Sequence, residues 1–261
     1  MRVIPHMHDF VSELSPEVQD AFRESTTTRE VAAGEAVYRQ GDDSDELFQL
    51  VHGAVKICNY SVDGREVVTG EFKAGDCFGE MGVLDQLPRV SHAIASTDAR
   101  LRVLGLSGFN KLSARYPEFT HRLAVVLCRR LRYLYTLNEE ASGLTLHQRL
   151  ARTVHRLAYS SASRDAQREL YVSISQEELG QMLGVSRQSV NKGLKALAED
   201  GAVELRYGRI YVSNLNALRE QYEDLLGIEQ ITPGYQEEQG RESTARKFSR
   251  DSECQQDPVP A

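Results

Sequence analysis

The 261-residue sequence predicts an α+β chain in three parts: a β sandwich or barrel, one long helix and a C-terminal helix-turn-helix. Three observations lead to this prediction. Short β-prone runs broken by glycine and aspartate fill residues 31–106, and an apolar stripe of helical period follows over residues 117–138. Two short amphipathic helices joined by a tight turn are predicted within residues 175–201. At roughly 150 residues a domain, the length allows about two domains.

Composition argues against membrane, secreted and zinc-binding classes. The longest strictly apolar run, residues 123–128, is far shorter than the ~20 residues that span a bilayer, and no basic segment followed by an apolar one opens the chain. We therefore expect neither membrane insertion nor export. The four cysteines form no C-x-x-C pair, which favours a reduced, cytoplasmic protein. They are Cys58, Cys77, Cys128 and Cys254.

The net charge of −7 is unevenly distributed. Residues 1–113 carry a net charge of −7 and residues 228–261 carry −3, whereas residues 114–142 and 143–227 carry +2 and +1. Because charge acts through its local distribution, an acidic total still allows a basic, nucleic-acid-binding face in the second half of the chain.

The β-rich part contains five candidate strands. They are residues 34–38, 46–51, 54–60, 66–72 and 99–106. Asp63-Gly64 between two of them is typical of a hairpin turn, because both residues tolerate the positive φ angles of a type I′ turn. Many short strands with such turns predict a sandwich or barrel.

Helical pattern begins near Leu106, and the longest helix runs from Pro117 to about residue 138. Its apolar stripe has spacings of three and four, and it allows two interpretations: an ordinary core helix, or the seam of a dimer. The stripe comprises Phe119, Leu123, Val126/Leu127, Arg130/Leu131, Leu134 and Leu137. A further helix is predicted over residues 144–159, then a polar loop over 160–168, and composition predicts a disordered tail from about residue 228.

Residues 175–201 carry the most specific local pattern. Ser175 and Glu178 form a capping box that opens a short helix. Gly184 allows a left-handed turn, and Ser186 caps a second helix. The absence of a side chain at Gly180 permits the two helices to cross closely, which predicts a helix-turn-helix.

The outward face of the second helix is polar. We assign base reading to Arg187, which can pair with guanine O6 and N7, and to Gln188, which can pair with adenine N6 and N7. Other polar residues on this face are candidates for phosphate or base contacts: Ser189, Asn191, Lys192 and Lys195. A predicted hairpin over residues 202–212 carries Arg206 and Arg209 near its tip, where a wing contacts phosphates. The alternative is an ordinary solvated helix face.

A β-rich domain, a long apolar helix and a winged helix-turn-helix in this order resemble the cyclic AMP receptor protein and fumarate-nitrate regulator (CRP/FNR) family of bacterial transcription factors. The segments that carry the resemblance are FGEMGVLD at 78–85 with Pro88-Arg89, similar to the family's phosphate-binding cassette, and ISQEELGQMLGVSRQSVNKGLKAL at 174–197. The resemblance covers about residues 10–220. It implies an N-terminal double-stranded β-roll, a cyclic-nucleotide-binding-like jelly roll, and a homodimer joined along the 114–138 helix.

The cassette suggests an effector site. Gly79 lets a backbone amide approach an anion, Glu80 can accept hydrogen bonds from ribose hydroxyls, and Arg89 offers a planar fork for phosphate. Members that bind cyclic AMP are expected to carry Ser or Thr directly after this arginine, but Val90 stands here and the hydroxyl comes one place later. The candidate effector residues are Gly79, Glu80, Arg89, Ser91, Leu134 and Tyr135. Arg89 also allows a structural interpretation as a paired arginine.

Other ligands and activities find less support in the residues. We expect no iron–sulfur cluster, because no cysteine precedes Cys58, and no haem, because His52, His92 and Cys77 lie in no local motif. The β-roll is also the cupin scaffold, and a cupin-like metalloenzyme is the alternative function. The clustered His and Glu ligands that such an enzyme needs are absent from the sequence, so we expect no metal and no enzyme.

The predicted protein is therefore a sequence-specific DNA-binding transcription regulator. It would act as a homodimer on a palindromic operator, with or without a small effector such as cyclic AMP, cyclic GMP or cyclic di-GMP. We expect RNA polymerase as a further partner if the protein activates transcription, and no membrane partner. The expected divisions are an effector domain, a dimerisation helix, a DNA-binding domain and a tail: residues 1–113, 114–142, 143–227 and 228–261.

Overall fold

The structure is a computed structural model that describes residues 2–4, 7–62, 64, 66–160, 163–164, 167, 169–206, 208–222 and 231–233. The strands, in chain order, are β1 (Arg2–Ile4), β2 (Thr27–Val31), β3 (Ala36–Tyr38), β4 (Glu46–His52), β5 (Ala54–Tyr60), β6 (Glu66–Lys73), β7 (Cys77–Phe78), β8 (His92–Ala95), β9 (Ala99–Gly105), β10 (Ser163–Arg164), β11 (Leu170–Val172), β12 (Val203–Arg206), β13 (Arg209–Val212) and β14 (Ile231–Pro233). The helices are α1 (Pro16–Glu24), α2 (Glu80–Asp85), α3 (Leu106–Arg115), α4 (Pro117–Gly143), α5 (Leu146–Ser160), α6 (Gln176–Leu183), α7 (Arg187–Glu199) and α8 (Leu215–Glu220).

Two four-stranded antiparallel sheets form the N-terminal β-roll. One has the strand order β2-β9-β4-β7 and the other β3-β8-β5-β6. Inward-facing apolar side chains of both sheets pack into one core, which includes Phe48, Leu50, Val55 and Phe78. The predicted α+β class, with a β-rich domain, a long helix and a C-terminal helix-turn-helix, is confirmed.

The sequence predicts β3 to β6 and β9, but it predicts neither three strands of the roll, β2, β7 and β8, nor helix α1. β2 is polar and shows no alternation of apolar residues, since only its last residue, Val31, is buried. β7 has two residues, and β8 has four. Segments this short carry too few residues for alternation to be recognised.

The predicted stripe of α4 is covered within one chain only along its first part. Phe119, Leu123 and Val126 are fully buried in a second core of the N-terminal half, where Phe119 contacts Phe10 edge to face with ring centroids 5.4 Å apart. Further along the helix, Leu131 is 53% exposed and Leu134 is 59% exposed. The first part of the stripe therefore belongs to the core, and the interpretation of the second part as a dimer seam stays a prediction.

The C-terminal domain has its own core, built by α5 to α8 and the sheet β10-β11-β13-β12. The predicted capping box is present: the Ser175 hydroxyl accepts from the Glu178 amide at 3.1 Å, and the Glu178 carboxylate accepts from the Ser175 amide at 2.7 Å. Gly184 ends α6 with φ of 68°, and Ser186 caps α7. The turn between the two helices is therefore specified by its own side chains.

Gly180 provides a sharp test of the helix-turn-helix packing. A Cβ atom there would lie 2.8 Å from the backbone oxygen of Val185, in the turn before α7. We expect Gly180→Ala to lower the free energy of unfolding by about 1–3 kcal/mol, because the turn must shift to relieve the contact. Gly143→Ala is the matched control, since a Cβ atom at Gly143 meets no atom within 4 Å. Urea unfolding that finds the two variants equally stable would contradict this packing.

β1, near the N-terminus, pairs in parallel with β14 (Ile231–Pro233). The prediction of a disordered tail over residues 228–261 is corrected for Ile231–Pro233, which form this strand, and the rest of that tail lies outside the described residues. The predicted Asp63-Gly64 turn is described only at Gly64, which has φ of 77°. Within the described ranges, no helix is long and apolar enough to cross a membrane.

Candidate functional site

The N-terminal end of α7 and the wing line one continuous surface. A shallow concavity of about 440 Å³ is lined by Gln176, Ser186, Arg187, Gln188 and Asn191. A second, of about 570 Å³, extends from Gln176 and Arg187 to the wing residues Arg206 and Arg209, and its lining also includes Glu177 and apolar side chains such as Leu194 and Leu205. The fold thus brings Arg187, Gln188 and Asn191 to the same side of the domain as the two wing arginines.

The base-reading candidates are exposed at the start of α7. Arg187 and Gln188 are its first two residues and both are exposed, and no described carboxylate forms an ion pair with Arg187. Ser189 is turned back, because its hydroxyl lies 3.0 Å from the Ser186 hydroxyl and its amide donates to that cap. Lys192 is exposed one turn further along, and Asn191 is half-buried. Arg187 and Gln188 are therefore the side chains best placed to reach base edges.

The two wing arginines differ in their surroundings. Arg206 is bound by Glu204 on the same strand and, at 2.7 Å, by Glu169. Arg206 donates hydrogen bonds to Glu204 and to Glu169, and these bonds, that to Glu204 most, raise the pKa of Arg206 further above its ordinary value. The guanidinium of Arg209 lies 4.5 Å from the centroid of the Tyr171 ring. Arg206 must therefore exchange a carboxylate for a phosphate if it contacts DNA.

This exchange predicts the effect of Glu204→Gln. The variant removes one of the two carboxylates that hold Arg206. We therefore expect DNA binding to become tighter, by the same factor on every sequence. The slope of log K against log salt should steepen by about 0.9 for each additional phosphate that a protomer binds. Glu199→Gln, an exposed carboxylate at the end of α7, is the control. A salt titration that gives Glu204→Gln the wild-type slope would show that the carboxylate does not compete with phosphate.

The effector candidates Gly79 and Glu80 lie at the start of α2. Gly79 has φ of 81°, and a Cβ atom there would lie 2.8 Å from an Arg89 nitrogen. Glu80 is buried and forms an ion pair with Arg130 of α4 at 2.6 Å. Arg130 also donates to the Cys77 carbonyl at 2.5 Å and to His8 Nδ1 at 3.1 Å. The carboxylate predicted to meet a ribose is thus held by the chain's own long helix.

Arg89 is buried between backbone carbonyls and aromatic rings. Its two terminal nitrogens donate to the Gly79 carbonyl at 2.8 Å and the Glu46 carbonyl at 2.7 Å. Its guanidinium lies 4.4 Å from the centroid of the Tyr38 ring. Arg89 Nε is buried and has no acceptor among the described residues. No described carboxylate pairs with this guanidinium. One of its donors is therefore unpaired, but it is buried, so an anion reaches it only if neighbouring side chains move.

Burial and aromatic packing complete the site. Burial raises the pKa of the Tyr38 hydroxyl to about 12, although the nearby Arg89 charge partly offsets this effect. Ser91 is buried near the Tyr38 side chain. Burial, then the Arg130 charge, lowers the pKa of His8 to about 3. His8 is therefore neutral at physiological pH, as an acceptor for Arg130 must be.

Two predicted effector residues are not brought to this site within one chain. Leu134 and Tyr135 lie one turn beyond Arg130 on α4, and their side chains are 59% and 63% exposed. Arg130 is not predictable as the partner of Glu80, because its spacing places it in the apolar stripe of α4. Gln176 is a further site residue without its own sequence prediction, although its position directly after the Ser175 cap puts it at the start of a helix near the predicted turn. No group of three metal-ligating side chains occurs among the residues that the structure describes.

Two family models match the chain. The cyclic nucleotide-binding domain matches residues 28–116, and the Crp-like helix-turn-helix domain matches residues 148–221. A CRP-like cAMP-activated global transcriptional regulator of Mycobacterium tuberculosis is 30% identical over 187 residues, which cover 71% of this chain and 83% of the relative. The chain belongs to the CRP/FNR family of transcription regulators. The resemblance stated from the sequence is thereby confirmed.

Further CRP-family relatives agree. The cyclic AMP receptor protein of Thermus thermophilus is 30% identical over 207 residues, covering 79% of this chain and 93% of the relative. The crystal structure of a CRP-family regulator from the same organism matches 77% of this chain and all of its own, with a TM-score of 0.61 and 28% identity. The c-di-GMP responsive regulator CLP of Xanthomonas campestris matches 77% of this chain and all of its own, with a TM-score of 0.68; at 24% identity it shows the fold alone. The CRP/FNR protein described here is a transcription regulator with a cyclic nucleotide-binding domain and a DNA-binding helix-turn-helix.

Proposed function

We propose that this CRP/FNR regulator binds a palindromic operator as a homodimer, with Arg187 and Gln188 of each protomer reading base edges in the major groove. The observation that carries this proposal is the continuous surface formed by the α7 N-terminus and the wing, in which both arginine-bearing elements face the same side. The remaining predicted residues would position the protein on phosphates: Ser189, Asn191, Lys192, Arg206 and Arg209.

The dimer would form along the outward face of α4. Leu131, Leu134 and Tyr135 leave apolar surface exposed on this face, next to Arg130. A protein of this size rarely leaves such a stripe in water unless another surface covers it. The family's DNA-binding activity supports a cytoplasmic location, where bacterial DNA lies, and RNA polymerase would be a partner if the protein activates transcription. The named relatives are regulators, which supports a non-enzymatic role.

Gln188 should select the base that it meets. An amide side chain donates to and accepts from adenine N6 and N7, whereas a carboxylate accepts from cytosine N4. We expect Gln188→Glu to move the preference at one base pair of each half-site from adenine to cytosine, with discrimination of about 1–3 kcal/mol. Binding to a library of randomised sites measures this preference. If Gln188→Glu selects the same sites from the library as the wild type does, Gln188 does not read a base.

We further infer that a cyclic nucleotide occupies the β-roll through Arg89. The family model supports the ligand class, and the acceptor-free Arg89 Nε is a donor suited to a phosphate oxygen. Binding through Glu80 would require its ion pair with Arg130 to rearrange. That same ion pair, with Val90 in the place of a hydroxyl residue, favours the second candidate function, a regulator of the same family that needs no effector.

Operator binding at fixed salt distinguishes the two candidates. The purified protein would be titrated with and without cyclic AMP, cyclic GMP and cyclic di-GMP, because affinities measured at different salt cannot be compared. Tightening of at least tenfold by one nucleotide corresponds to about 1.4 kcal/mol of coupling and supports effector control. Arg89→Gln should lose this response, whereas Arg100→Gln, an exposed arginine of the roll, should keep it. Tight binding that ignores all three nucleotides supports the effector-independent candidate.

A further inference from the structure

The hinge between α4 and α5 encloses a buried ionic cluster. Glu140 lies in the last turn of α4, and Arg152 and Arg156 lie one turn apart on the same face of α5. One carboxylate oxygen, Glu140 Oε1, contacts Arg152 Nε at 2.7 Å and also contacts Arg156 Nη1. Glu140 is 3% exposed and Arg152 is 1% exposed. The cluster therefore joins the long helix to the DNA-binding domain out of contact with water.

Further contacts fix the two guanidiniums. Arg152 lies over the ring of Tyr222 at 5.2 Å, and Arg156 Nη2 donates to the Thr153 hydroxyl at 3.3 Å. The intervening His155 contacts the Tyr222 hydroxyl through Nδ1, and burial lowers its pKa to about 4, so it is neutral at physiological pH. The arginines thus share one carboxylate. The contact of Arg152 Nε with Glu140 is an ion pair without hydrogen-bond geometry, and Arg152 Nη1 also has no acceptor among the described residues, so the directional hydrogen bond of the cluster is the one from Arg156 to Glu140.

Such a cluster is a costly way to stabilise a hinge. Burying three charges carries a large desolvation penalty, and well-packed apolar residues of similar volume are often as stabilising or more so. Ion pairs differ from apolar contacts in one respect: they are directional, and they are strong only in a narrow range of geometries. The arrangement therefore fits a role in specifying an angle better than a role in adding stability.

The position of the cluster determines which angle it would specify. Before the hinge, α4 is anchored in the core of the N-terminal half through Phe119 and Leu123. After the hinge, α5 belongs to the core of the DNA-binding domain through Leu150 and Val154. A change of angle between Glu140 and α5 would therefore turn the whole helix-turn-helix relative to the long helix.

We propose that Glu140 is a positioning residue that fixes the direction in which the DNA-binding domain leaves α4. In the homodimer of the proposed function, on which this consequence rests, the same angle sets the separation of the two recognition helices. It then sets the spacing between half-sites that the protein accepts, since that spacing is a geometric property of the dimer.

Three variants test the proposal. Glu140→Gln removes the shared charge and keeps the shape of the side chain. Glu139→Gln is the matched control, because Glu139 is the adjacent, half-buried carboxylate on the same helix: its charge also acts on Arg152, but it forms no ion pair with a described residue. It therefore removes a nearby charge without removing a direct contact. The triple variant Glu140→Leu/Arg152→Met/Arg156→Met replaces the ions with apolar side chains of similar volume, so the hinge stays packed but has no directional pairs.

The first measurement is binding to operators whose half-sites are moved one or two base pairs closer or further apart. The spacing preference is the ratio of the affinity for the wild-type spacing to the affinity for an altered spacing. We expect this ratio to fall at least tenfold in Glu140→Gln and in the triple variant. In Glu139→Gln it should stay within threefold of the wild-type ratio. Thermal unfolding by circular dichroism identifies variants that are unfolded. A folded triple variant that keeps the wild-type spacing preference would overturn the proposal.

The second measurement needs neither DNA nor a dimer. Spin labels at Val62→Cys and Glu199→Cys, both exposed, report the distance between the β-roll and α7 by pulsed electron paramagnetic resonance. An excess of unlabelled protein, mixed in before measurement, restricts the signal to pairs of labels within one chain. Cys128 and Cys254 would be changed to serine so that they take up no label. We expect the distance distribution to be at least twice as wide in Glu140→Gln as in Glu139→Gln, and equal widths would overturn the proposal. A wild-type protein that binds no palindrome would contradict the proposed function while leaving this measurement valid.

Discussion

Arg187→Ala should abolish most of the operator specificity. A bidentate contact to guanine contributes about 1–3 kcal/mol of discrimination, and the homodimer makes it twice. We therefore expect specific affinity to fall by roughly 2–6 kcal/mol, on the order of 30-fold to 10,000-fold, while non-specific binding changes little. The measurement is competition between operator and random DNA at fixed salt. The reason is structural: Arg187 is exposed at the α7 N-terminus and no described carboxylate pairs with it.

Lys192→Ala is the control for Arg187→Ala. Lys192 lies further along the same exposed face, where a lysine contacts phosphate rather than base edges. It should weaken binding to all sequences alike and reduce the salt slope by about 0.9 for each phosphate that is no longer bound. If Arg187→Ala also weakened operator and random DNA to the same extent, the assignment of Arg187 to base reading would be wrong.

The double variant Leu131→Asp/Leu134→Asp should convert the homodimer to a monomer. Each leucine leaves more than half of its side chain exposed in the single chain, so covering the remaining surface contributes about 1–1.5 kcal/mol per leucine. Four such residues meet in a dimer, and four aspartates in their place add like-charge repulsion. We expect a dissociation constant weaker by roughly 1,000-fold or more, measured by analytical ultracentrifugation, and a parallel loss of operator affinity.

Val62→Asp separates this effect from a general effect of added charge. Val62 is fully exposed at a hairpin of the β-roll, far along the chain from α4, so the variant should remain dimeric. A Leu131→Asp/Leu134→Asp protein that sediments as the wild-type dimer would place the dimer interface on another surface.

The parts of the fold that the sequence predicted are those specified by local chemistry. The Ser175–Glu178 capping box and the Gly184 turn depend on neighbouring residues, and both are present. The stripe of α4 left two interpretations open, because periodicity identifies apolar residues but not which neighbour covers each of them. Phe119 is covered by Phe10 and Phe22 of its own chain, whereas Leu134 stays exposed among the described residues.

The candidate effector site shows the same limit. Gly79, Glu80 and Arg89 were identified because they lie close together in a recognisable segment, and the fold holds them together. Their partners come from distant parts of the chain, and neither Arg130 nor His8 carries a local signal. The hinge cluster of Glu140, Arg152 and Arg156 likewise depends on two helices meeting at one angle, which no sequence period encodes.

Selection of binding sites from random DNA by the purified, full-length wild-type protein tests the central claim most directly. It needs no assumption about the effector if the selection is run with and without each cyclic nucleotide. We predict enrichment of a palindrome whose half-sites lie about one helical turn, ~34 Å, apart and carry a guanine and an adenine where Arg187 and Gln188 are expected to bind. Enrichment of no sequence under any of these conditions, or of a single unrepeated site, would contradict the account.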